Sequence, residues 1–505
     1  MNETVTAPKP DLVATGIAGF DDIIGGGFTR NRLYLVEGNP GSGKTTLALQ
    51  YLLEGARLGE RGLYITLSET AEELRAGAES HGWSLDNVDL VELIPSDDSL
   101  TPDSQYTMFH PSEVELAETT KAVLAEVERI NPARVVFDSL SEMRLLAQNS
   151  LRYRRQILAL KQFFIGRQCT VLLLDDRTAE VADLQLQSIA HGVISLEQLA
   201  PEYGAERRRL CIQKMRGRRY RGGFHDFRIV QGGLSVYPRL VAAEHHEAFE
   251  DMVIASDVPE LDALLGGGLD RGTSALVLGP AGVGKSTLAI QYALAAAHRG
   301  ETATLFAFDE SIKTMLLRSA GIGMDLDLQI AAGRIHVRQV DPAELSPGEF
   351  VQVVRQSVEQ DGSRILIIDS LNGYINAMPE ERYLLIQLHE LFTYLGQQGV
   401  TTFLLVAQHG LVGRDMPSPV DASYLADTVM LLRYFEARGE VRQAISVMKK
   451  RSGWHERTIR ELRIDQQGLH VGAPLSVFQG VLNGTPQYIG HADLLSEQPD
   501  GRTSE

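Results

Sequence analysis

The sequence predicts an α/β protein built from two tandem copies of one domain, each a mostly parallel sheet flanked by helices. Three observations carry that expectation. Long stretches recur in order: "GFDDIIGGGFTRNRLYLVEG" is matched by "ELDALLGGGLDRGTSALVLG", "ARVVFDSLSEMRLL" by "SRILIIDSLNGYIN", and "CIQKMRGRRYRGGFHDFRI" by "SVMKKRSGWHERTIRELRI". A repeat of roughly 240 residues is a duplicated domain, not a short solenoid unit. Near-continuous apolar runs alternate with helical spacing, the pattern of strands buried on both faces of a parallel sheet. Finally, each copy contains a strand, a glycine-rich loop and a helix start, "LYLVEGNPGSGKTTLALQ" and "SALVLGPAGVGKSTLAIQ".

Taken in order, "RLYLVEG", "GLYITLSE", "ARVVFDSL" and "CTVLLLDD" read as buried strands of the first copy. Between them, "KTTLALQYLLEGARLG" and "LRYRRQILALKQFFIGR" place apolar residues at helical spacing. Periodicity lapses around "YPRLVAAEHHEAFEDMV", where acids and histidines gather. The expected domains are therefore residues 1–245 and 246–485, with 486–505 an acidic, flexible tail.

The 505 residues are 44% hydrophobic and 23% charged, the balance of soluble globular domains. No apolar run approaches the ~18 residues of a membrane span. The start "MNETVTAPKP" lacks the basic and apolar segments of a secretory leader, so cytoplasm is the expected location. Cys169 and Cys211 lie in apolar or strand-like runs without partners at metal-ligand spacing, and read as buried thiols. A net charge of −18 repels a polyanion at long range and counts against nucleic acid as the main partner. The local exception is "ERRRLCIQKMRGRRYR", a basic run that could meet phosphate or nucleic acid.

Both glycine-rich loops fit G-x-x-x-x-G-K-[ST], and both follow a strand and open a helix. Gly38, Gly41 and Gly43 in the first, and Gly279, Gly282 and Gly284 in the second, let backbone N–H groups face phosphates at a helix N-terminus. Lys44 and Lys285 are expected to reach the β and γ phosphates, with Thr46 and Thr287 following in the helix start. Thr45 and Ser286 offer hydroxyls to Mg²⁺. A nucleoside triphosphate is implied together with Mg²⁺.

Asp138 and Asp369 end apolar strands, where a carboxylate can order Mg²⁺ through water or, alternatively, cap the next helix. Neither is followed by a glutamate. A base must come from elsewhere, and the preceding strand supplies Glu69 in "LSE" and Asp309 with Glu310 in "FDE". The plainer reading of Glu69 and Glu310 is a helix N-terminal acid favoured by the macrodipole.

Together the repeated "GGG" lead-in, the glycine-rich loop, the acid after the next strand, the "IDS" strand and a late K-x-R segment resemble the KaiC family of two-domain RecA-like P-loop ATPases and autokinases. The similarity covers nearly the whole chain, and is strongest at "LADTVMLLRYFEARGEVRQAISVMKKRSGWHERTIREL" and "FQGVLNGTPQYIG". It implies a tandem RecA-like fold with a C-terminal hairpin extension in each domain, and a homohexamer of stacked rings with ATP between subunits; whether hexamers pair into larger assemblies is left open. Lys214 with Arg216, and Lys449 with Arg451, match the hairpin cations that reach a neighbour's phosphate. Cations there neutralise charge that develops during transfer, although a solvated hairpin with basic outer positions would look the same.

The chain departs from that family at named positions. Ser68 and Asp309 stand where paired glutamates would have their first member. Ser423 keeps the phosphoacceptor serine, whereas Tyr424 replaces the adjacent threonine. The resemblance implies KaiB-like and KaiA-like partners, but "RTAEVADLQLQSIAHG" and the acidic tail differ from the stretches they would meet. Three function classes follow: an ATP-hydrolysing switch with serine autokinase activity, a slow ATP-dependent scaffold, and a RecA-like DNA motor.

Overall fold

The structure, a computed structural model, describes residues 11–93, 111–147, 150–176, 184–201, 203–341, 343–376, 383–408, 410, 423–482 and 486–489. It divides into two compact units, Met1–Arg239 and Leu240–Glu505. Each carries one nine-stranded sheet of the same topology.

In the first unit the strands run, from one edge, Val88–Glu92, Gly62–Thr66, Arg134–Asp138, Thr170–Asp176, Leu33–Gly38, Gly192–Leu199, Arg207–Met215, Phe224–Val230 and Gly233–Tyr237. The first six are parallel, and the last three continue antiparallel as a meander. The second unit repeats this order with Ile335–Gln339, Thr302–Ala307, Ser363–Asp369, Thr401–Ala407, Ser274–Gly279, Thr428–Ala437, Glu440–Lys450, Arg460–Asp465 and Gly468–Pro474. These are tandem RecA-like α/β domains, each extended by a C-terminal antiparallel hairpin ladder.

Every residue of Leu33–Gly38 is buried, as a central parallel strand between helices must be. Helix Lys44–Arg57 covers one face through Leu47, Ala48, Tyr51 and Leu52. Phe137, Leu160, Phe164 and Leu173 belong to the core on the other face. In the second unit Lys285–His298 and the helix Leu384–Gln397 divide the two faces in the same way. Within each sheet, the strand ends that bear Asp138 and Asp369 lie at the same edge as the loops after Gly38 and Gly279.

Three details differ from expectation. The chain division falls at Arg239/Leu240, not near 245, because Leu240 and Ala242 are buried in the second unit's core and the Ala242 amide donates to Glu390 Oε2 at 3.1 Å. The segment expected to be a loose tail begins with a strand, Gln487–Tyr488, paired to Phe478–Gln479 and held by an edge-on Phe478–Tyr488 contact. The rest of that acidic segment lies outside the described residues. Cys169 is buried, and burial pushes its thiol up to about 11, whereas Cys211 is only half-buried on a hairpin strand.

Candidate nucleotide site

Each loop ends in a glycine that no other residue could replace cheaply. Gly43 and Gly284 cap their helices at φ 97° and 103°, and a Cβ on either would press within 2.9 and 2.5 Å of Ile229 and Ile464. The left-handed cap turns the chain directly into Lys44 and Lys285, both buried. Lys44 Nζ donates to the carbonyls of Gly38 and Asn39, both at 3.0 Å, and lies 2.6 Å from Asp176 Oδ1. Lys285 Nζ donates to Gly279 O at 3.0 Å and Pro280 O at 2.7 Å. Burial, only partly offset by Asp369, pulls the Lys285 ammonium down to about 8.

In the first unit, Tyr64 donates its hydroxyl to Asp138 Oδ2 at 2.6 Å. Burial raises the Asp138 carboxyl above its ordinary range, while Tyr64, Lys44 and the Thr45 hydroxyl pull it back. Glu69 is likewise raised, by burial first and then by the charges of Asp138, Glu73 and Asp176. Thr45, Thr46, Glu69, Glu73 and Gly77 line one groove beside the helix start. Glu69 does not cap the following helix. Thr70 does, accepting from the Glu73 amide while Glu73 reaches back to the Thr70 amide.

The second unit draws Gly282, Gly284, Lys285, Ser286, Thr287, Asp309, Glu310 and Asp369 around a single groove. Burial raises Asp369, and its hydrogen bond with Ser286 lowers it again. Asp309 accepts from Ser370 Oγ. Arg318 forks onto Glu310, Nη2 to Oε2 at 2.8 Å and Nε to Oε1 at 3.2 Å, while its Nη1 donates to Thr287 Oγ1 at 3.0 Å. Here too the helix cap is a neighbour, Ser311.

Among the described residues no group of three or more His, Cys, Asp or Glu side chains is placed to hold a metal. Each loop instead sets one hydroxyl against one buried carboxylate, Thr45 with Asp138 and Ser286 with Asp369. That donor pair fits Mg²⁺, which keeps waters and takes phosphate oxygens for the rest of its octahedron.

The four hairpin cations bind carbonyls of their own chain. Lys214 donates to Gln187 O and, at 2.9 Å, to Ala190 O, while Arg216 donates to Ser188 O at 2.7 Å. Lys449 repeats this with Ser423 O at 2.9 Å and Ala426 O at 2.7 Å, and Arg451 with Tyr424 O at 3.1 Å. Partial burial, then the adjacent arginine, pulls both lysines down. Ser423 thus sits on a turn clasped by Lys449, and is not among the residues lining the groove around Lys285. Much of the basic run is also engaged internally: Arg218 donates to Gly25 O and Gly27 O at 2.6 Å, Arg209 pairs with Glu197 and Arg208 with Glu206.

Several site residues escaped the sequence reading. Tyr64, Asp176 and Arg318 meet the loops or their carboxylates, and Arg144 with Asp175 forms an ion pair beside Asp176. In the sequence the doubled acid of "LLLDD" marks only the end of a strand, and nothing local marks Tyr64 or Arg318.

A family profile described as "ATPase: KaiC" matches residues 13–241 and again 254–476. The Circadian clock protein KaiC3 of Synechocystis sp. is 27% identical over 492 residues, covering 96% of each chain. The Circadian clock oscillator proteins KaiC of Thermostichus vulcanus and of Synechococcus elongatus are each 26% identical, over 94% of this chain and 92% of theirs. With the profile matched twice, once on each glycine-rich loop and its sheet, the chain belongs to the KaiC ATPase family.

Proposed function

We propose that the protein binds and hydrolyses ATP at both loops, as a homohexameric ring whose nucleotide state is its signal. The observation that carries this reading is the twofold recurrence of one arrangement: a left-handed glycine, a buried lysine at the loop, and a hydroxyl set against a buried carboxylate. Lys44 and Lys285 hold the β and γ phosphates. Thr45 with Asp138, and Ser286 with Asp369, hold Mg²⁺, which supplies charge neutralisation at the phosphates when bound. Glu69 in the first site, and Glu310 with Asp309 in the second, orient the attacking water and take its proton. Burial and the nearby acids raise the Glu69 carboxyl, which makes it a stronger proton acceptor than an ordinary glutamate.

In that ring Lys214, Arg216, Lys449 and Arg451 exchange own-chain carbonyls for the phosphate of a neighbour, coupling turnover to assembly. A second reading, serine autophosphorylation at Ser423 from a neighbour's ATP, is favoured by one contact: Lys449 grips the Ser423 carbonyl, so a cation that moves toward phosphate also moves the acceptor turn. The internal pairing of Arg208, Arg209 and Arg218 weighs against a DNA-binding motor. A slow scaffold differs from the switch only in rate.

Incubation with γ-labelled ATP and Mg²⁺, alongside Lys44→Ala and Lys285→Ala, tests these readings. Phosphate release reduced by each substitution supports hydrolysis at both loops. Release unchanged in both overturns it. Label retained on the protein, lost in Lys285→Ala and mapped to Ser423, supports the autokinase, and absence of retained label removes it.

A further inference from the structure

Lys44 and Lys285 hold equivalent places with different partners. An ammonium has three N–H donors. Lys44 meets three acceptors, the carbonyls of Gly38 and Asn39 and the carboxylate of Asp176, so its capacity is filled. Lys285 meets two carbonyls among the described residues. The sheet register explains the difference. Asp176 stands beside Gly38 on the neighbouring strand, and in the second unit the residue beside Gly279 is Ala407, which has no carboxylate to offer.

Asp176 is itself held in place. Its second oxygen accepts from Ser141 Oγ at 3.3 Å, and the preceding Asp175 is fixed by Arg144 at 2.6 Å. Its negative charge also bears on Asp138 and Glu69, raising both carboxyls. A phosphate oxygen approaching Lys44 therefore meets an anion already bound at close range.

We propose that Asp176 is a tethered competitor for the phosphate position on Lys44, which weakens nucleotide binding at the first site relative to the second. The inference rests on reading the loops as nucleotide sites. Entry of a triphosphate requires the carboxylate to leave the ammonium, so the exchange of one anion for another sets the first site's affinity. Among the described residues no carboxylate pairs directly with Lys285; Asp369 acts on it only at longer range.

The test is equilibrium binding of a fluorescent ADP and a fluorescent non-hydrolysable ATP analogue, with Mg²⁺, to the full chain carrying Lys285→Ala, so that the first site reports alone. Adding Asp176→Asn tightens binding by about tenfold, the scale of a lost charge-assisted hydrogen bond. Asp176→Glu, which keeps the charge, restores weak binding. The reciprocal Ala407→Asp, in the chain carrying Lys44→Ala, weakens second-site binding by a similar factor. Unchanged or weaker affinity in Asp176→Asn, in protein with an undiminished unfolding transition, overturns the proposal. If Asp176→Asn does not fold, Ala407→Asp decides, and unchanged second-site affinity then overturns it. Failure of both single-lysine parents to bind either nucleotide overturns the nucleotide reading itself, a result distinct from binding that is present but insensitive to Asp176.

Discussion

Arg318 clasps Glu310 through two parallel hydrogen bonds, 2.8 and 3.2 Å long, at a point where the repeat alignment gives the first domain Gly77. The same guanidinium reaches Thr287 in the loop helix, so one cation ties a candidate base to the helix that opens at the glycine-rich loop. A Cβ at Gly77 would touch nothing within 4 Å, so the first groove lacks both the cation and its packing.

Replacing Arg318 with Ala is expected to lower phosphate release at the second site by roughly tenfold through kcat, with a smaller effect on KM, because Glu310 loses its orientation. Arg318 also lowers the carboxyl of Asp369. Its removal therefore raises Asp369 further, and the acid limb of the pH–rate profile moves to higher pH. Steady-state kinetics across pH in a Lys44→Ala background reads both effects.

Tyr64→Phe removes the hydrogen bond that restrains Asp138. The buried carboxylate is left with one partner fewer, a loss of about 1–3 kcal/mol. Asp138 is raised in the folded chain, so the native state binds more protons than the unfolded one between the two values, and stability falls as pH rises across that interval. The substitution raises Asp138 more and steepens the fall. Denaturant unfolding at a series of pH values measures it.

Asp175, raised mainly by burial to about 6 from an ordinary 3.8, makes a distinct contribution to that curve. Between those values the folded chain holds a proton that the unfolded chain has released. Stability declines as pH climbs from 3.8 to about 6 and is flat above. Asp175→Asn flattens the slope in that window, which a melting series from pH 4 to 7 detects.

Arg134 is almost wholly buried, with its Nε on Glu60 at 2.6 Å and Nη1 on the carbonyls of Ala14 and Tyr51. Removing it leaves Glu60 with Arg30 alone and takes a donor from two carbonyls. Arg134→Ala is expected to cost about 3–5 kcal/mol, as breaking a buried pair does. The unfolding midpoint should fall without a matching loss in the intrinsic affinity of the second site for nucleotide.

The strands and loops were legible because their signals are local. An apolar run of the length of Leu33–Gly38, or a glycine pattern ending in Lys44, depends on neighbours within one turn or one strand. The helix caps at Thr70 and Ser311 are equally local signals, each one residue after Glu69 and Glu310. The Tyr64–Asp138 bond joins residues 74 apart, and no periodicity links them. Arg318 looked like an ordinary polar position on a helix until that helix was laid against the loop.

By itself the sequence determined that there are two copies of one α/β domain, where the glycine-rich loops lie and which carboxylates end the strands beside them. These follow from residue spacing, since side-chain period and backbone freedom act over a few residues. Only the tertiary structure decided how the differences between the copies bear on the two lysines and carboxylates. Strand register sets Asp176 beside Gly38 and Ala407 beside Gly279, and packing sets Arg318 on Glu310, so two loops of one pattern acquire neighbours of different charge. Electrostatic contacts act through space between strands and helices distant in the chain, and that proximity exists only once the sheet has formed.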